Sequence, residues 1–183
     1  VNMPNRSVSN YVHAIFVASD SAVWFAAARG AVHRYLNGRW TSFDTSNGLG
    51  GTIVRRMYET REMPDQTAFW FATDHGLSKY VDGKWNTITS HDGLAGDVVH
   101  DISQSADGSL WVATNKGISV YANGSWRTID APAGLQNTVV LRLLRSADGA
   151  IWAGGNAVIG RYAFGRWLVF DIRGGSGDNG VYS

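Results

Sequence analysis

Between residues 109 and 129 the chain reads SLWVATNKGISVYANGSWRTI, short apolar runs broken every few positions by Gly, Asn or Lys. The runs are rich in aromatic and β-branched residues, the composition of strands bounded by turns. Nowhere do apolar residues recur at i, i+3, i+4 and i+7 over a helical length. The pattern predicts strands near Val98–Gln104, Ser109–Thr114, Ile118–Ala122 and Ser125–Ile129. Leu110-Trp111-Val112-Ala113 is apolar at every position, so that strand is expected to be covered on both faces rather than wetted on one.

The same pattern recurs with a period of about 41 residues, in the range that marks propeller blades or helical arrays. Trp24, Trp70, Trp111 and Trp152 form one series, and Trp40, Trp85, Trp126 and Trp167 a second. Tyr35, Tyr80, Tyr121 and Tyr162 precede the second series at constant spacing, as do Gly38, Gly83, Gly124 and Gly165. Asn37-Gly38, Asp82-Gly83 and Asn123-Gly124 are two-residue hairpin signals, since a type I′ turn needs positive φ at both positions. Phe164-Gly165 breaks that chemistry at the same site. Four-stranded units with doubly buried strands point to an all-β fold, a β-propeller of four-stranded antiparallel blades. The tryptophans, so strictly spaced, are expected to fill the joints between blades.

The four blades are placed at about residues 8–46, 52–91, 97–132 and 138–173, with partial strands at both ends. The second unit has extra residues within ETREMPDQTA, and the first has one after Gly30 that reads as a bulge. In the fourth, Gly154 and Gly155 are expected to move the turn upstream, since Val158 replaces a glycine. The repeat register continues to Val1 and to Val181, which would open a fifth unit. The chain therefore reads as part of a larger ring, or as a ring completed by oligomerisation.

Composition narrows the partners. Of 183 residues 44% are hydrophobic and 17% charged, and the formal net charge is +1. No Lys or Arg stripe exists to attract nucleic acid, and no apolar run is long enough to span a bilayer as a helix. There is no cysteine, hence no disulfide or thiolate site.

Aligned, the units read DG-x-LW-x-AT-x-x-G-(I/L)-S-x-Y-x-(N/D)G-x-W, followed by a DGL-like turn and a V-x-x-I strand. Asp92-Gly93-Leu94 carries that turn in full; Asn47-Gly48-Leu49 and Ala133-Gly134-Leu135 carry it in part. This resembles the two-component regulator propeller repeat, whose blades are found in extracytoplasmic sensor regions of bacterial hybrid histidine kinases. The resemblance implies a non-enzymatic sensor, periplasmic or extracellular, that binds a small-molecule, saccharide or peptide ligand and needs no cofactor. SADGSLW is one residue short of the Asp-box spacing, so it does not indicate a sialidase.

Catalytic signals are weak. His13, His33, His75, His91 and His100 show no metal-ligand spacing. Ser90-His91-Asp92 is contiguous, whereas triads are assembled in space, so it is read as part of the turn before Gly93. Asp101 is read as a polar residue solvated in a central channel. The turns between second and third strands differ from unit to unit: AARG, TDHG, TNKG and GGNAV. They offer Arg29, Asp74, His75, Asn115, Lys116 and Asn156 as a candidate ligand-binding rim, varied polar groups on a repeated scaffold. The alternatives are an enzyme on a propeller frame, either a lyase of the streptogramin-inactivating type with His75 beside Asp74 or a carbohydrate-active enzyme, and a protein-interaction platform or plain folding unit.

Overall fold

The structure, a computed structural model, describes residues 11–27, 30–62, 66–129, 135, 139–155, 158–171 and 180–182, with only the backbone at 171 and 180–182. Four antiparallel sheets follow one another, their strands in chain order. The first holds β1 (Val12–Val17), β2 (Val23–Ala27), β3 (Ala31–Leu36) and β4 (Arg39–Phe43). The second holds β5 (Val54–Glu62), β6 (Gln66–Thr73), β7 (Gly76–Val81) and β8 (Lys84–Ile88). The third holds β9 (Val99–Gln104), β10 (Leu110–Thr114), β11 (Gly117–Ala122) and β12 (Ser125–Thr128). The fourth holds β13 (Val140–Arg145), β14 (Ile151–Gly155), β15 (Val158–Ala163), β16 (Arg166–Asp171) and a fifth strand, β17 (Gly180–Tyr182). The chain divides into two compact units, residues 1–88 and 89–183, each with two sheets.

In the first unit the core is aromatic. Trp24, fully buried on β2, lies 5.4 Å from Phe71 and 5.8 Å from Tyr80 of the second sheet. Phe43 stacks on Trp24 at 5.8 Å and meets Trp85 edge-on at 5.5 Å. The second unit repeats the joint: Trp111 lies 4.9 Å from Tyr162 and 6.2 Å from Trp167. In all four sheets the tyrosine and the second tryptophan face each other across a hairpin, Tyr35 on Trp40, Tyr80 on Trp85, Tyr121 on Trp126 and Tyr162 on Trp167. The expected mortar role holds for Trp24 and Trp111; Trp70 is buried, and Trp152 is only half-buried. β10 is buried at every position, as its uninterrupted apolar run requires.

The connections between sheets are as regular as the joints. Asp44 caps the 3-10 turn Thr45–Asn47, accepting from Ser46 N at 2.8 Å, and Thr89 caps Ser90–Asp92 in the same way. The chain then turns through Gly48 and Gly93 with φ of 109° and 108°. Leu49 and Leu94 follow, both buried. The next backbone N–H is fixed by a serine of the third strand: Gly50 N donates to Ser78 Oγ at 2.8 Å, and Ala95 N to Ser119 Oγ at 2.7 Å.

Several local expectations are corrected. The additional residue of the first sheet lies in its β2–β3 turn, because Ala27 faces Ala31 in an unbroken register. In the fourth sheet the turn does not move: β14 ends at Gly155 and β15 starts at Val158. The insertion of the second sheet lengthens a hairpin, with Glu62 opposite Gln66. Val181 lies opposite Leu168, extending the fourth sheet instead of opening another. Val1 lies outside the described residues.

Asp101 is corrected as well. It is buried, not solvated: its carboxylate accepts from Ile102 N and from Leu143 N, each at 2.9 Å. It ties β9 to β13 where no backbone ladder joins them. A buried polar group of this kind is stable only when hydrogen-bonded.

Two substitutions test the repeat logic. Trp111 Nε1 donates to Ser105 Oγ at 3.1 Å and Trp152 Nε1 to Ser146 Oγ at 3.2 Å, but the equivalent residue before Trp24 is Ala18. Trp24 Nε1 is buried with no acceptor among the described residues. Ala18→Ser is expected to raise unfolding free energy by about 1 kcal/mol, the net value of a typical hydrogen bond, measured by urea denaturation. Phe164 is fully exposed yet held at φ 52°, the conformation of Asn37, Asp82 and Asn123. Replacing it with Asn relieves left-handed strain and should add about 0.5–1 kcal/mol in the same assay.

Candidate functional site

The turns between second and third strands are built on a threonine. Thr73 pairs with Gly76 and Thr114 with Gly117, leaving two residues between each pair. Buried Thr73 Oγ1 donates to Gly76 O at 2.7 Å and accepts from His75 N at 3.1 Å. Thr114 does the same with Gly117 O at 2.9 Å and Lys116 N at 3.1 Å. This internal bonding fixes the turn without help from the two residues at its tip.

Those two residues then divide the work. The first points back to the segment that enters the same sheet. Asp74 Oδ1 accepts from Thr52 N and Ile53 N, both at 2.8 Å, and Oδ2 accepts from Thr52 Oγ1 at 3.2 Å. Asn115 makes the equivalent bracket, exchanging bonds with Val98 through its backbone at 2.9 Å and its side chain at 3.3 Å. The approach is close: a Cβ at Gly51 would sit 2.3 Å from Asp74 Oδ1, and one at Gly96 2.3 Å from Asn115 Oδ1. Only glycine fits there. The second residue faces solvent, with the His75 side chain 72% exposed and Lys116 exposed.

Of the six candidate residues, Asp74 and His75 are therefore brought together in the first unit, with His75 Nδ1 3.3 Å from Asp74 Oδ2. Asn115 and Lys116 share one turn of the second unit. Arg29 and Asn156 lie outside the described residues. Burial raises the Asp74 pKa, but the hydrogen bonds from Ile53 and Thr52 and the charge of His75 outweigh it, and the net value is lowered. A carboxylate so engaged is a bracket, and it leaves little capacity for accepting a proton from a substrate.

Ser90, His91 and Asp92 do not form a triad. Asp92 Oδ2 accepts from Thr89 N at 2.8 Å, while Ser90 N and Oγ donate to Asp97 at 2.6 and 3.1 Å. Among the described residues no group of three His, Asp or Glu is placed to hold a metal ion, and no helix is long and apolar enough to cross a membrane.

The stretch from the Gly93 turn through β9 and β10 to Lys116 contains the second of these turn tips with its Asn115 bracket. Residues 93–116 match the two component regulator propeller family. That stretch carries one copy of the repeat. No curated protein matches its sequence. Among solved structures it is similar to the extracellular domain of BT3049, described as a hybrid two component system of B. thetaiotaomicron. The TM-score is 0.68 at 22% identity, over 83% of this chain and 21% of that one. It is also similar to virginiamycin B lyase from Staphylococcus aureus, solved as an inactive variant with quinupristin, at TM-score 0.66 and 17% identity over 96% of this chain and 60% of the lyase. A third similar structure is PorZ, a surface component of the type-IX secretion system of Porphyromonas gingivalis, at TM-score 0.65 and 20% identity over 99% of this chain and 28% of PorZ. The chain spans 21% to 31% of the B. thetaiotaomicron extracellular domains it matches. At these identities the likeness establishes the fold: the four sheets are β-propeller blades.

The bracket is directly testable. Asp74→Ala should cost about 1–2 kcal/mol in urea denaturation, because it strips a charged acceptor from three donors. His75→Ala, at an exposed tip, should change stability by less than about 0.5 kcal/mol. Because the folded-state pKa of Asp74 is lowered, its contribution is complete above the unfolded value and is lost as pH falls through the lower folded one. Acidification below about pH 4 should therefore destabilise the native chain more than Asp74→Ala.

Proposed function

We propose that this chain is a ligand-binding, non-enzymatic sensor module of a bacterial signal-transduction protein, acting outside the cytoplasm. The observation that carries the proposal is the division of labour in the two-residue turns. One position is held constant in role by its bracket, while its neighbour, His75 or Lys116, is exposed and differs in chemistry. Such a turn presents a variable group on an invariant support, which is how loops on rigid scaffolds serve recognition. The extracellular location of the B. thetaiotaomicron domains supports the compartment, and the repeat type supports the signalling role.

The same bracket supplies a route for the signal. Asp74 joins the turn tip to Thr52 and Ile53, the segment between the first and second blades. A saccharide or peptide-like ligand engaging His75 pulls on a residue hydrogen-bonded to that interblade connection, and so shifts how the blade is presented to whatever adjoins it. Coupling of this kind requires the ligand to favour one arrangement of the connection over the other.

Calorimetric titration with pools of soluble oligosaccharides and short peptides tests the reading. Binding by at least one pool is expected, weakened about tenfold or more in His75→Ala or Lys116→Ala, equivalent to about 1.4 kcal/mol. Titrations that stay flat with every pool, or binding indifferent to both substitutions, would remove the rim from the account.

A further inference from the structure

Among the described residues of the first unit, three Arg or Lys side chains are half-buried: Arg34, Arg55 and Lys79. Arg34 pairs with Asp20 at 2.6 Å and Lys79 with Glu62 at 2.7 Å. Arg55, on β5, has no such partner there, and its Nη1 is shut off from solvent without an acceptor. The strands packed against β5 are β1, β2 and β6, and their sequences, VHAIFV, VWFAA and QTAFWFAT, hold no acidic residue. The remaining described carboxylates of the unit are engaged elsewhere. Glu59 accepts from Ser19, Asp44 caps its 3-10 turn, Asp82 accepts from Gln66, and Asp74 holds Thr52 and Ile53. A guanidinium nitrogen kept from water costs stability unless an acceptor is supplied.

The fold does not require arginine at this position. Arg55 is the extra residue of a β-bulge, since Val54 lies opposite Thr73 and Arg56 opposite Ala72. The other first strands shift register at the equivalent point, where the residues are His13, His100 and Leu141. Leu141 shows that the bulge forms without a charge. Two residues before Arg55, Ile53 is 42% exposed, and its backbone N–H is held by Asp74 at 2.8 Å. An open apolar side chain and a guanidinium thus enter β5 together, on a segment already fixed in place.

We propose that Arg55 anchors a small ligand bearing a carboxylate next to an apolar face, with the carboxylate on the guanidinium and the apolar face on Ile53. A guanidinium offers paired N–H donors that match the two oxygens of a carboxylate. Of its three nitrogens only Nη1 is sealed off, so the group keeps an open side, and a turn about its flexible stem brings Nη1 to the same carboxylate. An acidic sugar and the C-terminus of a short peptide both present this combination. Either supplies the acceptor that the strands around β5 do not, so the cost carried by the free chain is relieved on binding. The inference rests on the sensor reading only in that a small ligand binds. It places that ligand's charge on Arg55, not on the turn tips at His75 and Lys116.

Thermal unfolding with defined probes tests it. Glucuronate and the dipeptide alanyl-phenylalanine, each at about 10 mM, are compared with glucose and the dipeptide amide. For a site of about millimolar affinity, at least one carboxylate should raise Tm by about 3 °C or more, and its neutral counterpart should not. A response to glucuronate alone identifies an acidic sugar, and one to the dipeptide alone a peptide terminus. Arg55→Leu should abolish the shift and raise the urea midpoint of the free chain, because the unpaired charge is gone. Arg39→Leu, at an exposed position, should leave the shift intact. No shift with either carboxylate, an equal shift with the neutral probes, or a shift that survives Arg55→Leu overturns the proposal. So does equal loss in Arg39→Leu, or a lower urea midpoint in Arg55→Leu, which would make the guanidinium a structural group. If Arg55→Leu loses its cooperative melt, Arg55→Lys takes its place and should at least halve the shift, since it keeps the charge but not the paired donors. A flat response here beside rim-dependent calorimetry removes Arg55 alone. An Arg55-dependent shift beside calorimetry indifferent to His75 and Lys116 removes the rim alone.

Discussion

Everything in each unit depends on one contact: the tryptophan of a second strand inserted against the aromatic side chains of the following blade. A single antiparallel meander has two faces and cannot bury both, so a blade gains stability only from its neighbour. Trp24 against Phe71 and Tyr80, and Trp111 against Tyr162 and Trp167, are the contacts that meet this need. Aromatic pairs of this geometry contribute about 0.5–1.5 kcal/mol beyond the area they bury. The cross-strand tyrosine–tryptophan pairs form part of the receiving surface, as Tyr80 and Trp85 do for Trp24 and Phe43.

The spacing of the repeat follows from that contact. Successive tryptophans can register only if the connection between blades has a fixed path, and the chain fixes it at several points. A capped 3-10 turn starts it, a left-handed glycine redirects it, a buried leucine anchors it, and a serine hydroxyl then takes the next backbone N–H. The Asp74 and Asn115 brackets close the far end, just before β5 and β9. The candidate rim and the fold therefore share residues. The bracket positions are committed to structure, which leaves the turn tips free to vary.

Periodicity made the architecture legible, because each strand's neighbours lie within one repeat and turn chemistry sets the hairpins. Even Phe164 obeys the positional rule its residue type resists, held left-handed by the same hairpin as Asn37 and Asn123. Asp101 escaped this logic. Its acceptor role depends on Leu143 N, forty-two residues away, and nothing in a V-x-x-I pattern identifies a buried carboxylate. Asp74 and Asn115 looked like surface variation for a related reason: their partners are backbone amides more than fifteen residues upstream, invisible to side-chain patterning. Gly51 and Gly96, where a Cβ would strike those very side chains, were the available signal.

The central claim is that interblade aromatic contacts couple one blade to the next. A double-mutant cycle in urea denaturation measures this directly, using Trp24→Leu and Tyr80→Leu, with Trp24→Leu and Tyr35→Leu as the control across opposite faces of one blade. The account predicts a coupling energy of about 1 kcal/mol for the first pair and none for the control. A Trp24–Tyr80 coupling within about 0.3 kcal/mol of zero would contradict it.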